Sequence, residues 1–282
     1  MKSHICVPKV TLKKFNNSGK NNELLYFLDL KNNCICKSTH KDFLAEEGYY
    51  SLDTEKLLSD EIETKMGSLY SRVELAMENE EILPKTICNL HNMAKKIIAI
   101  QSLRNPDYTR KHILTHFKRL QLKGRKGAKI LANEILKQGN YKQYLNVFFT
   151  AYHFDLYRSA ILINDTCRDF FLPTMHFFHL PYIANLGKDL FVVIMSSKMA
   201  WILMREGDYS KNVKDDYGES VIRLKNPKSI EIFNYGAYKY ESAYGVGRII
   251  STQEELMKFN FDECAKFLGK LQENYELFIE SM

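Results

Sequence analysis

The sequence predicts an α+β fold: an N-terminal antiparallel hairpin or small sheet, a helical middle, and C-terminal strands with closing helices. Three observations carry that prediction. Short strand-like runs separated by turn residues fill positions 1–52. Between 53 and 158 the apolar residues recur at three- and four-residue spacing, the period of a helix. From about 159 the period changes again, to continuous apolar runs at 159–163, 170–172 and 190–195.

The first region divides at two turn signals. Apolar residues cluster over 7–15 and read as a strand that ends at Asn16-Asn17-Ser18-Gly19. The run 24–30 is a strand, Lys31-Asn32-Asn33 is a turn, and 34–38 returns as its partner. In the helical middle, a run starting at Ser59 places Ile62, Met66, Leu69, Val73 and Met77 on one face. Pro84 suits a first helical turn. The helix it opens aligns Ile87, Leu90, Ala94, Ile97 and Gln101, and Asn105-Pro106 stops it. A basic helix follows with Ile113, Phe117 and Leu120 in line, broken by Gly124 and Gly127. A short helix over 130–137 and another over 141–156, with Tyr144, Phe148 and Tyr152 aligned, complete the middle. In the last region Pro227 opens a helix carrying Phe233, Ala237, Tyr240 and Tyr244 on one face. Thr252-Gln253-Glu254-Glu255 fits a capping box, and a final helix runs from Phe261 to Phe278.

The 282 residues read as a single domain, 1–282, long enough for a self-sufficient core. Apolar residues at 45% and charged residues at 26% match globular usage, and 13 Gly and 6 Pro argue against disorder. No apolar run approaches the roughly 20 residues of a membrane helix. The start, Met1-Lys2-Ser3-His4, has no long apolar run behind its lysine, so a cytoplasmic protein without membrane partner is expected. Six cysteines are scattered. Cys34 and Cys36 form Cys-x-Cys without a second pair at zinc-finger spacing and read as free thiols, so no metal and no cofactor is expected.

The charge is concentrated. From 104 to 129 there are 9 Lys or Arg against one acid, Asp107, so this block carries +8 in a chain of net charge +6. Arg110, Lys111, Lys118, Arg119, Lys123, Arg125 and Lys126 suit a polyphosphate backbone, because such binding is largely charge neutralisation. Tyr108 and Phe117 beside them suit stacking on unpaired bases. The plainer alternative is a solvated helix face paired with the glutamates of 74–81.

Three pieces of the chain resemble, in order, a bacterial family known only as domain of unknown function 4238. His4-Ile-Cys-Val7-Pro8 with Leu12 and Phe15 is similar to its His-x-x-Val-Pro-x-x-x-Leu-x-x-Phe opening. Gln101-Ser-Leu-Arg104-Asn-Pro106 resembles its Gln-x-x-Arg-x-Pro helix end. The third piece is Ala160 to Thr166 followed by Phe170 to His176, where the family's Ser-Asp-Asn-Pro is replaced by Pro173-Thr174-Met175-His176. The strand end at 194–200 also resembles one of the family's. The resemblance implies an intracellular bacterial protein without an established reaction, some of whose relatives look like phage-defence effectors. Threonine at 174 departs from the family's aspartate, and any role of that aspartate does not carry over.

Four residues are candidates for catalysis. Arg110 and His116 have a spacing that resembles the Arg-x(4–6)-His pattern of HEPN-type ribonucleases. There a histidine exchanges a proton with the ribose 2′-hydroxyl while an arginine stabilises phosphate charge. His112 is an alternative partner. His4 either anchors the sheet through its ring or lines a cleft beside the helix that ends at Arg104. Arg104 either complements that helix C-terminus or grips a carboxylate or phosphate. His176 and His179, with His153, Asp165 and Asp169 near in sequence, offer two imidazoles three apart, short of the three or four ligands of a metal site. The expected function is therefore a defence or toxin-like effector that contacts RNA or DNA, with RNase-like nuclease activity if it is an enzyme. The alternative is a non-enzymatic sensor that binds an acidic protein partner or a small nucleotide.

Overall fold

The hairpin read from residues 24–38 is present, with strands β2 (Leu24–Asp29) and β3 (Cys34–Thr39) paired antiparallel along their whole length. Asp29 Oδ1 closes the turn by accepting from the Lys31 and Asn32 backbone N–H groups, and Asn33 takes the left-handed conformation there. The chain is seen in a computed structural model that describes residues 2–15, 24–78, 84–109, 124–137, 140–180, 190–205 and 221–260, with 262, 263 and 266. Strand β1 (Lys2–His4) pairs with β4 (Ala45–Glu47) rather than with the hairpin.

The strand expected over 7–15 is instead the helical turn α1 (Lys9–Leu12) running into a 3₁₀ turn, Lys13–Phe15. Pro8 explains the difference. It sits extended at the N-cap, and its carbonyl accepts from the Thr11 and Leu12 N–H groups, so the clustered apolar residues Leu12 and Phe15 face inward from a helix.

In the middle, α2 (Leu52–Leu58) starts earlier than expected because Ser51 caps it, its hydroxyl accepting from Thr54 N–H. It continues through a π turn, Ser59–Glu63, into α3 (Thr64–Glu78). Helix α4 (Pro84–Arg104) buries Leu90, Ala94, Ile97 and Gln101, the expected stripe. Asn105 then caps the short α5 (Pro106–Tyr108) with its side-chain oxygen. Gly124 opens α6 (Gly124–Ile135) and Gly127 lies inside it, so Gly127 does not break a helix, while the basic helix expected before Gly124 falls outside the described residues. Helix α7 (Asn140–Ala151) stops short of 156, where His153 turns the chain in the left-handed region.

The C-terminal region holds strands β5 (Tyr157–Asn164), β6 (Leu172–Pro173), β7 (Phe177–His179), β8 (Leu190–Ser196), β9 (Met199–Arg205) and β10 (Val221–Leu224). Helix α8 (Pro227–Tyr244), strand β11 (Arg248–Ser251) and helix α9 (Gln253–Lys258) follow. A five-stranded sheet has the order β10-β5-β9-β8-β7, parallel only at β10–β5. A four-stranded sheet, β3-β2-β11-β6, joins the N-terminal hairpin to the C-terminal region. Helices α4 and α8 both pack on the larger sheet, whose β8 is buried at every residue. The architecture is mixed α+β. Among the described residues no helix is long and apolar enough to cross a membrane.

Candidate functional site

Two assemblies of polar and aromatic side chains sit on either side of the end of α4. The first is centred on Arg104, whose side chain is only 2% exposed. Its guanidinium donates to the His4 backbone carbonyl and to Glu63 Oε1 at 3.3 Å, and lies 5.9 Å from the Tyr50 ring centre. The His4 ring packs beside it, its Nδ1 donating to the Phe43 carbonyl at 3.3 Å. Burial first, then the Arg104 charge, lowers the His4 pKa to about 4, so the ring is neutral at pH 7. His176 joins from the turn between β6 and β7. It is fully buried in the left-handed conformation, and its Nε2 lies 3.1 Å from the Thr11 hydroxyl. Burial and Arg104 again lower its pKa, to about 3. One turn back on α4, Gln101 is buried with both amide atoms unpaired among the described residues.

His4 and Arg104 are therefore brought together, as the cleft reading of the sequence requires. The guanidinium is enclosed, however, and committed to a carbonyl and a carboxylate. It clamps β1 and the π turn to the end of α4, and the carboxylate it grips is the chain's own Glu63. Thr174 is also structural. Its hydroxyl and N–H donate to the fully buried carboxylate of Glu241, which also accepts from the Gly247 and Arg248 N–H groups. Burial raises the Glu241 pKa, against the lowering pull of those donors.

The second assembly is a pocket of about 220 Å³ that no sequence signal had singled out as a whole. Ile98 and Ser102 come from α4, Tyr108 from α5, Phe148 and Tyr152 from α7 and its end, Phe177 and His179 from β7, Phe191 from β8, and Tyr240 and Tyr244 from α8. The walls are rings in contact. His179 stacks on Phe191 with centroids 4.3 Å apart, Tyr152 on Phe148 at 4.6 Å, and Tyr240 packs against Tyr244 at 4.7 Å. The Tyr108 and Tyr152 hydroxyls meet at 3.2 Å. Burial raises the pKa of Tyr108 and of Tyr240, so both keep their protons at pH 7. Among the described residues, no Asp, Glu, Lys or Arg lines the space. It offers ring faces and hydroxyls, which suit a planar uncharged ring better than an ion. Tyr108 and the alignment of Phe148 with Tyr152 were legible beforehand. Their convergence with α8 and β7 was not, because it depends on contacts far apart in the chain.

The remaining candidates fall in three groups. Arg110, Lys111, His112, His116, Phe117, Lys118, Arg119 and Lys123 lie outside the described residues, and so does the side chain of Arg125. Lys126 is exposed on α6. Lys129, the last of the basic block, donates to the Gly48 carbonyl at 2.7 Å. Arg104 and Lys129 are thus used within the fold, so the block has fewer cations to offer than its count implies. Of the glutamates read as its counter-charges, Glu74 pairs with Lys14 instead, at 3.1 Å. The His-x-x-His pair is split: His176 faces Thr11 and His179 faces the aromatic pocket, while Asp165 pairs with Arg223 and Asp169 with Lys198. Among the described residues no three His, Cys, Asp or Glu side chains converge as a metal site would need.

No protein-family model, curated protein or solved structure matches this chain.

Proposed function

We propose that this chain binds single-stranded nucleic acid, taking one base in the aromatic pocket and the adjoining phosphates on the basic segment that starts at Arg110. One observation carries the reading. Tyr108 forms part of the pocket wall, and two residues later the chain enters the basic block. A ring-lined pocket whose wall residue Tyr108 is followed in sequence by a run of cations offers the two elements that single-strand binders use, stacking for the base and neutralisation for the backbone. The volume suits one ring system. The resemblance to the unknown-function family adds the expectation of a defence or toxin-like effector in a bacterial cytoplasm.

The test is binding of fluorescein-labelled RNA and DNA oligonucleotides at low salt, for the wild type and for Tyr152→Ala. The expected result is micromolar or tighter binding that falls steeply with added salt and weakens about 10- to 100-fold in Tyr152→Ala, as loss of a stacked base implies. Absence of binding for both nucleic acids at low salt overturns the reading. Binding of free nucleosides alone would assign the pocket to a small molecule instead. RNA cleavage abolished by His116→Ala in a folded protein would extend the proposal to a nuclease.

A further inference from the structure

A separate chemistry is exposed at the edge of the four-stranded sheet. Cys34 and Cys36 are two apart on β3, and the two-residue period of a strand points both thiols to the same face. Their sulfurs are 3.5 Å apart. β3 is an edge strand, Cys34 is exposed, and Cys36 is partly so.

This geometry favours a bridging ion over a disulfide. In an extended strand, residues two apart have Cα atoms roughly 6.6–6.8 Å apart. That is the far limit of the ~4.4–6.8 Å range of disulfides, and parallel Cβ vectors do not bring the sulfurs to the ~2.05 Å of a bond. β3 is held extended by its full pairing with β2, Cys34 opposite Asp29 and Cys36 opposite Phe27. A two-coordinate ion holds its thiolates nearly opposite one another, so two metal–sulfur bonds of about 2.3 Å separate the sulfurs by about 4.6 Å, an opening from 3.5 Å that rotation about the two Cα–Cβ bonds supplies.

The surroundings narrow the ion. Asp29 faces Cys34 across the hairpin, but its Oδ1 is engaged in the turn. No third donor completes a cluster among the described residues. Zinc asks for four ligands, whereas soft thiolates with a low coordination number select copper(I). Binding replaces two S–H protons, released to solvent, with two S–Cu bonds and leaves a complex of charge −1. Arg248 faces Asp29 across the sheet and its guanidinium lies 5.2 Å from the ring centre of Phe27, so its charge is shared with Asp29 and offsets only part of the negative charge on that face. We propose that Cys34 and Cys36 form a two-thiolate site for a soft monovalent ion, copper(I).

The test uses the full chain, reduced and anaerobic, with Cys88, Cys167 and Cys264 changed to serine. Copper(I) is titrated in competition with a chromophoric chelator. The expected result is one equivalent bound, with about two protons released per ion, and affinity lowered at least about 100-fold by Cys34→Ser or by Cys36→Ser. Far-ultraviolet circular dichroism should be unchanged in both, since both positions are on an edge strand. Unaltered copper binding in Cys34→Ser overturns the proposal, as does failure of the parent to compete for one equivalent. Equally tight binding of zinc(II) overturns the two-coordinate assignment.

Discussion

Arg104 is the residue whose setting decides most. A buried guanidinium is costly unless its charge and donors are met, and here Glu63, itself 29% exposed, and the His4 carbonyl meet the charge and the two terminal nitrogens, while Nε has no hydrogen-bond partner among the described residues. Arg104→Ala removes both contacts and leaves a cavity at the junction of α4 with β1, and should cost about 3 kcal/mol in urea unfolding. Arg104→Lys should recover little, because an ammonium cannot span two partners as the planar fork does. An unfolding midpoint unchanged in Arg104→Ala would remove the clamp from the account.

The neighbouring histidines give a pH dependence of defined sign. His4 and His176 have folded pKa values depressed to about 4 and about 3 from 6.5. Their contribution to stability is complete above 6.5 and is lost as pH falls through that value toward the folded ones. For His176, fully buried, the loss between pH 7 and pH 5 amounts to about 2 kcal/mol at ~1.36 kcal/mol per unit. His176→Asn keeps a polar side chain that accepts the left-handed backbone but does not titrate. Its urea midpoint should fall less steeply from pH 7 to pH 5 than that of the wild type, and an equal slope would place the titration elsewhere.

Among the elements, the end of α8 carries the sharpest constraint. Gly245 caps that helix, and a Cβ built there would stand 2.1 Å from the Glu241 carboxylate. A flexible side chain would yield, but this carboxylate is held by four hydrogen bonds from Thr174, Gly247 and Arg248. Gly245→Ala should therefore destabilise the protein by about 1–3 kcal/mol, the usual penalty of overpacking, measured by urea unfolding. Gly48 needs glycine for another reason, its φ of +62°, with open space around its Cα. Helix boundaries at Pro84 and Thr252 follow capping chemistry and are readable, Thr252 Oγ1 accepting from Glu255 N–H as expected, whereas the sequence reading starts the first helix at Ser59 and misses the Ser51 cap. Residues 9–15 were misread as a strand because their apolar cluster fits either period, and the Pro8 cap decided between them.

For the whole molecule, the distribution of charge sets how binding should respond to salt. Each phosphate neutralised on a single strand contributes about 0.7 to the slope of log affinity against log salt. Lys129 is engaged with Gly48 and Arg104 is buried, whereas Lys126 is exposed. Lys126→Ala should then reduce the slope by about 0.7, and Lys129→Ala should leave it unchanged. Equal effects of the two would show that the basic block acts only as a diffuse charge.

What the sequence determined on its own is what depends on near neighbours: the hairpin at 24–39, the stripe of α4, the caps, and the concentration of charge after Tyr108. Turn hydrogen bonds, helical period and N-caps act within a few residues, so they leave local signals. Only the tertiary structure decided that Thr11 meets His176 across 165 positions, that Arg104 reaches His4 across 100, and that α4, α5, α7, α8, β7 and β8 enclose one ring-lined pocket. Those contacts are selected by the cost of leaving polar groups unpaired and apolar rings in water, which is settled over the whole core at once.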